Sequence, residues 1–360
     1  MDVKLSMIMP CYNSENYISV AVESFLAQEN PETELIIVDD GSSDGTGSVS
    51  RRYLEEHENI RYIYTENGGA GRARNIGLEQ ARGEMVGFLD SDDALIIKSL
   101  CPAVVDNLLQ RIRSGTDIVC TPWIGTDMEI SSAPKIRFPE KPEEIRNHMP
   151  KLAFWTCIYS RNYLKERQIR FYEYRQQDIE TAFRYRAFSN TENIAVCPEL
   201  RFYLQRNRLD SNTHTWNLYH LCRVKAAVYS DLLETTKWKD DRDFLKREVL
   251  KNIYSFYKLC LLHGAADAEE LREVHDLYGS VKKNPFDRYI LRIAVLNLLR
   301  AVFFKRKYQM SEGRKEPEEY DNDTILKNLR SLSQTVGDPV NWREYGKTED
   351  VAYKPGNTGQ

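Results

Sequence analysis

Carboxylates are the side chains in this chain whose types and spacing most suggest chemistry. Asp90-Ser91-Asp92-Asp93 follows the apolar run Met85-Val86-Gly87-Phe88-Leu89, so acidic groups gather where a buried strand should end. Asp90 and Asp92 stand two apart and project to the same side of extended backbone. Paired hard oxygens suit Mg²⁺ or Mn²⁺, which keep waters and share ligands with a substrate diphosphate. On its own such a motif reads more readily as a solvated turn. A second cluster is Leu35-Ile36-Ile37-Val38-Asp39-Asp40-Gly41-Ser42-Ser43-Asp44-Gly45, where an apolar strand delivers two aspartates at its tip and Gly and Ser permit a tight turn. A carboxylate held there can accept a base N–H or ribose hydroxyls. The plainer reading is an Asx-turn with a helix N-cap, the part assigned to Asp44. Third is Gly68-Gly69-Ala70-Gly71-Arg72-Ala73-Arg74-Asn75, glycines entering a helix whose first turn carries two arginines. Helix-start N–H groups beside arginine suit a phosphate-bearing ligand, although a flexible loop with surface arginines has the same composition.

The elements that must position these groups are legible over the first 95 residues. Leu5–Met9, Glu34–Val38, Ile60–Tyr64 and Met85–Leu89 read as buried strands, and Tyr17–Gln28, Ser48–Glu56 and Gly71–Ala81 have helical spacing. Alternation of this kind implies a mainly parallel sheet covered by helices on both faces, a Rossmann-like α/β fold. Ligands on such sheets gather at the carboxyl ends of the strands, where Cys11–Asn13, Asp39–Asp44 and Asp90–Asp93 all fall.

Pro10-Cys11-Tyr12-Asn13, Val38 through Thr46, Gly69 through Asn75, and Phe88-Leu89-Asp90-Ser91-Asp92-Asp93 occur in this order. Together they resemble the motifs of family-2 inverting glycosyltransferases with the GT-A fold, of the bacterial cell-surface glycan type. The resemblance covers residues 3–95 and is thinner from 150 to 215. It implies a metal-dependent, inverting hexosyltransferase taking sugar from a nucleotide-sugar donor, most simply a UDP-sugar, to a glycan, lipid-linked or protein acceptor. It also implies that Pro10, Tyr12 and Asn13 lie at the nucleotide, that Asp39 reads a uracil-like edge, and that Gly69, Arg72 and Asn75 lie near the sugar or diphosphate. Asp90 and Ser91 would contact the donor, and Asp92 with Asp90 the metal.

The family usually carries a Glu-Asp pair ahead of a Phe; here the match is Ile179-Glu180-Thr181-Ala182-Phe183, with Asp178 one step earlier. The general base therefore falls to Glu180, with Asp178 as the alternative. Tyr203-Leu204-Gln205-Arg206 and Ser211-Asn212-Thr213-His214 resemble late family segments. They suggest Arg206 at the diphosphate and His214 as a third metal ligand.

A charged fraction of 29% with net charge −4 is ordinary for a globular protein and argues against a nucleic-acid partner. Seven scattered cysteines without a CxxC pair fit a reducing compartment. No secretory signal or spanning helix is visible, so the expected location is cytoplasmic. The sequence divides into a catalytic domain at 1–215, a mostly α-helical domain at 216–335 and a polar tail at 336–360. Residues 285–308 combine an apolar face with flanking Lys and Arg. That pattern reads as a core helix, a homodimer seam, or an interfacial helix peripheral at the inner face of the cell membrane. Two rival functions are a sugar nucleotidyltransferase and a non-catalytic nucleotide-sugar binder. The turn Pro10-Cys11-Tyr12-Asn13-Ser14 lacks the Gly-rich loop of the first, and only the altered Ile179-Glu180 pair favours the second.

Overall fold

The computed structural model describes residues 2–131, 135–137, 153–173, 179–207, 218–235, 239–263, 272–274, 276–277 and 321–336. Strands β1 (Leu5–Cys11), β2 (Thr33–Asp39), β3 (Ile60–Tyr64) and β4 (Met85–Phe88) alternate with helices α1 (Ile18–Leu26), α2 (Thr46–Glu56) and α3 (Ala70–Gln80). Every residue of β1, β2 and β4 is buried, as expected of near-continuous apolar runs in a sheet covered on both faces. Strand β5 (Ala94–Leu95) and helix α4 (Pro102–Arg113) lead to β6 (Ile118–Cys120), β7 (Trp123–Asp127) and β8 (Lys135–Arg137). Beyond these come β9 (Cys157–Ser160), α5 (Arg161–Glu166), α6 (Ile179–Ser189), β10 (Ile194–Val196) and β11 (Tyr203–Asn207).

The main sheet has seven strands in the order β10-β6-β9-β4-β1-β2-β3, with β9 antiparallel to both its neighbours and the other pairings parallel. A smaller sheet, β5-β11-β7-β8, brings β11 beside the segment that follows β4. Pro10 is buried in β1, beyond Ile8, the last residue paired with β4. Cys11 bonds towards β2 through the Asp40 N–H, so the N–H that Pro10 lacks would have pointed to the unpaired side.

An aromatic cluster ties α6 into the core. The Phe88 ring lies 5.3 Å from Phe154, 5.3 Å from Phe171 and 5.5 Å from Phe183, and Phe171 stacks on Phe183 at 4.0 Å. Such edge and stacked pairs add to the area they bury.

The chain forms two compact units. The N-terminal unit comprises Met1–Arg175, Phe183–Leu209 and Pro317–Gln360, and the helical unit comprises Gln176–Ala182 and Asp210–Glu316. In the helical unit, α7 (Leu218–Thr235) packs on α8 (Lys239–His263), burying Val228 and Leu232 on one and Leu245, Val249 and Phe256 on the other. Helix α9 (Asn322–Val336) belongs to the N-terminal unit, whereas the sequence division sets 322–335 with the helical domain and 336 with the tail. Its apolar stripe Ile325, Leu329 and Leu332 joins a core cluster with Val20, Ala94, Ile96, Ile124 and Leu204, and Asn328 Nδ2 donates to the Glu129 carbonyl at 2.8 Å. Helical periodicity marks a buried face without saying which core receives it. Residues 285–308 and the tail from 337 lie outside the described residues. Among the described residues, no helix is long and apolar enough to cross a membrane.

Candidate active site

The candidate site lies along the carboxyl edge of the main sheet. Register places Cys11 opposite Asp39 and Asp39 opposite Tyr64, so the loops after β1 and β2 leave the sheet side by side. They are laced together. Asn13 N–H donates to Ser42 Oγ at 2.9 Å, Ser43 N–H to Asn13 Oδ1 at 2.9 Å, and Ser14 N–H to Thr46 Oγ1 at 2.7 Å. Asn13 holds φ at +47°, a left-handed conformation that asparagine tolerates better than most residues. Asp44 makes the expected Asx-turn, accepting the Thr46 N–H at 3.0 Å, but the N-cap of α2 is Gly45 and not Asp44. Gly41 has φ +78°, and a Cβ there would lie 2.7 Å from the Asn67 nitrogen, so this turn admits only glycine. Tyr12 stands 52% exposed on this lip, and Tyr64 is 59% exposed; they are the only exposed large hydrophobic side chains among the described residues.

The two aspartates of β2 turn inward. Asp39 is 1% exposed and accepts the Ser42 N–H at 2.9 Å and the Tyr62 hydroxyl at 2.7 Å. Burial and the Asp39 carboxylate push the Tyr62 phenol up. Asp40 accepts the N–H groups of Gly68 at 2.8 Å and Gly69 at 2.7 Å. The Gly69 amide expected at a diphosphate is thus taken by Asp40. Burial pushes the Asp40 carboxyl up, opposed by those two N–H bonds and by Arg72. Arg72 is half-buried, with Nη1 3.4 Å from the Glu66 carbonyl. Asn75 has another task than the donor contact foreseen. It is 3% exposed, and its amide donates to the Phe171 carbonyl at 2.9 Å and Glu173 Oε1 at 3.1 Å while accepting the Phe171 N–H at 2.9 Å.

The acidic turn after β4 is held from three sides. Arg74, 4% exposed, donates Nη2 to Asp90 Oδ1 at 2.7 Å, its guanidinium lying 4.8 Å from the Phe154 ring centre. Ser91 Oγ lies 2.8 Å from Ser14 Oγ, joining this turn to the loop after β1. Asp93 is buried and accepts the Tyr203 hydroxyl at 2.6 Å and the Arg206 N–H at 2.8 Å. Burial, with Asp92 and Asp90 nearby, pushes its carboxyl well up. The Asp90 side chain is 23% exposed and Asp92 is half-buried.

Asp90 and Asp92 would offer hard oxygens to a divalent ion that completes its shell with waters and a diphosphate, presented by a turn closed by the Asp93 N–H on the Asp90 carbonyl rather than by the extended backbone expected from the sequence. Among the described residues, no group of three or more His, Cys, Asp and Glu side chains is placed to hold a metal alone. Asp178 and His214 lie outside the described residues. Arg206 does not reach the open edge as foreseen: it is 2% exposed and its Nε donates to the Met128 carbonyl at 2.9 Å. Glu180 is half-buried in the first turn of α6, one turn ahead of the core residue Phe183. Nothing in the sequence alone marks Arg74, Ser14 and Tyr203 as the residues that hold the acidic turn. A second arginine in the glycine-led turn was visible, but not which of the two faces the acidic cluster.

The profile of Glycosyl transferase family 2 matches residues 6–235. The poly(ribitol-phosphate) beta-N-acetylglucosaminyltransferase TarS of Staphylococcus aureus (strain MW2) is 27% identical over 266 residues, 71% of this chain and 45% of that protein. The putative teichuronic acid biosynthesis glycosyltransferase TuaG of Bacillus subtilis (strain 168) is 49% identical over 90 residues, 25% of this chain and 36% of that protein. The chain spans about half the length of the curated relatives it matches. Among solved structures, S. aureus TarS 1-349 in complex with UDP-GlcNAc aligns with TM-score 0.61 and 21% identity, over 89% of this chain and 100% of that one. The likeness establishes the fold, the GT-A arrangement implied by the sequence motifs. With well over half of its length matched by the family profile, this chain belongs to glycosyl transferase family 2.

Proposed function

We propose that the chain moves a sugar from a nucleotide-sugar donor, most simply a UDP-sugar, to a hydroxyl of a glycan, lipid-linked or protein-linked acceptor, with inversion. The carrying observation is the convergence of Tyr12, the aspartates of β2 and the Asp90–Asp92 turn on one edge of the sheet, through the Ser14–Ser91 contact, in a chain of this family. Two relatives, one named for poly(ribitol-phosphate) and one for teichuronic acid, support a bacterial surface-polymer acceptor. A nucleotide-sugar donor suits a cytoplasmic site of action, at the inner membrane face if 285–308 meets lipid.

Tyr12 offers an exposed ring against which a base can stack. Asp90 and Asp92 would hold a divalent ion, manganese or magnesium, which supplies charge stabilisation to the departing diphosphate. In the displacement the acceptor oxygen forms its bond to the anomeric carbon as the carbon–oxygen bond to the diphosphate breaks. Glu180, or Asp178, takes the acceptor proton. Inversion follows when base and leaving group lie on opposite faces of the sugar ring. The experiment is calorimetry of UDP with Mn²⁺ on the wild type and Asp92→Ala. Affinity should fall about tenfold or more in the variant, to the level seen with EDTA. Equal affinity in the two proteins would remove Asp92 from the metal.

A further inference from the structure

We propose that the Tyr203 hydroxyl, with Asp93, is a positioning clamp that sets Asp90 and Asp92 for the metal-bound donor; the proposal rests on the role given to those two carboxylates above. Tyr203 uses both capacities of one hydroxyl on the acidic turn. Its O–H donates to Asp93 Oδ2 at 2.6 Å, and its oxygen accepts the Asp90 N–H at 3.2 Å. The turn itself is closed by the Asp93 N–H on the Asp90 carbonyl at 3.0 Å. Both ends of the Asp90–Asp93 turn are therefore tied to one atom of a strand 110 residues further along the chain. The other oxygen of Asp93 accepts the Arg206 N–H at 2.8 Å, fixing the register of the turn along β11.

The hydroxyl cannot wander. The Tyr203 ring is fully buried, tilted 30° against Trp155 at 4.3 Å, and Trp155 packs in turn on Trp123 at 5.3 Å. Packing alone does not call for a buried carboxylate here, because an apolar residue of similar size fills a core more cheaply. What Asp93 and Tyr203 add is direction. They fix the backbone on either side of Ser91 and Asp92, while Arg74 fixes the Asp90 carboxylate from the other side. Metal ligands hold their geometry only when the groups behind them are themselves fixed, and loss of such support commonly lowers metal affinity 10–100-fold.

The test is Tyr203→Phe, which keeps the ring and removes the two bonds. Three readouts are taken on the full chain: the Mn²⁺ concentration for half-maximal UDP binding, metal-free uridine affinity, and the melting temperature. The expected result is a rise of roughly tenfold in the Mn²⁺ requirement with uridine affinity unmoved. Asp93→Asn can accept only one of its two donors through a single oxygen and should shift the Mn²⁺ requirement in the same direction by less. A folded Tyr203→Phe protein with the wild-type Mn²⁺ requirement overturns the clamp. If that variant fails to fold, an unshifted Asp93→Asn does the same. Wild-type protein without Mn²⁺-dependent UDP binding removes the underlying donor reading, and this proposal with it. Wild-type binding with unmoved variants removes the clamp alone.

Discussion

Glu180 stands where the family pattern places a base, but as a glutamate preceded by Ile179 rather than by an acid. Its amide variant should separate chemistry from binding. Glu180→Gln is expected to lower transfer by roughly 10²–10⁴-fold while UDP affinity stays at the wild-type level. Normal turnover would pass the role to Asp178. Asp40 makes a second residue-scale prediction. Its folded pKa is raised by burial, so between the ordinary aspartate value of about 4 and the raised value the folded chain holds a proton that the unfolded chain has released. The contribution of this group to stability therefore falls as pH rises through that window. Asp40→Asn should flatten that slope, measured as urea midpoints from about pH 4 to about pH 7. An unchanged slope would assign the titration elsewhere. At this scale the placement of Tyr12, Asp90 and Asp92 beyond strand ends was legible, because continuous apolar runs stop just ahead of them. The roles of Arg206 and Asn75 were not, because a polar side chain looks the same in sequence whether it meets a ligand or the backbone of its own fold.

At the scale of elements, α3 reaches β1 because Gly77 leaves room. A Cβ at Gly77 would lie 2.3 Å from Ile8 Cγ2, in the strand that leads to the Tyr12 loop. Alanine gains up to about 1 kcal/mol of helix propensity there, yet overpacking against a central strand costs about 1–3 kcal/mol. Gly77→Ala should therefore destabilise the fold in urea, and a midpoint at or above wild type would mean that α3 shifts freely. The four N-terminal strands could be read ahead of the structure because strands buried on both faces leave continuous apolar runs. The second sheet could not. Its strand β5 has two residues and β8 three, too short for a period to show, and β11 is identified only by the partners it meets.

Over the whole molecule, the N-terminal unit is closed by a helix from the far end of the chain. Leu329, fully buried in the cluster with Val20, Ile124 and Leu204, is the residue to test. Leu329→Ala should cost about 2–5 kcal/mol of stability, read from urea unfolding of the full chain. A loss well under about 1 kcal/mol would mean that the unit does not need α9. A linear division of the sequence misses this return, because helical composition does not encode which unit a helix joins. Whether this edge of the sheet binds and activates a nucleotide sugar can be measured directly. The full chain is incubated with a panel of UDP- and GDP-sugars, with Mn²⁺, Mg²⁺ or EDTA, and released nucleotide is recorded. Metal-dependent release from a UDP-sugar, lost in Asp92→Ala, is the expected result. Silence across the panel, with no nucleotide binding by calorimetry, would contradict it.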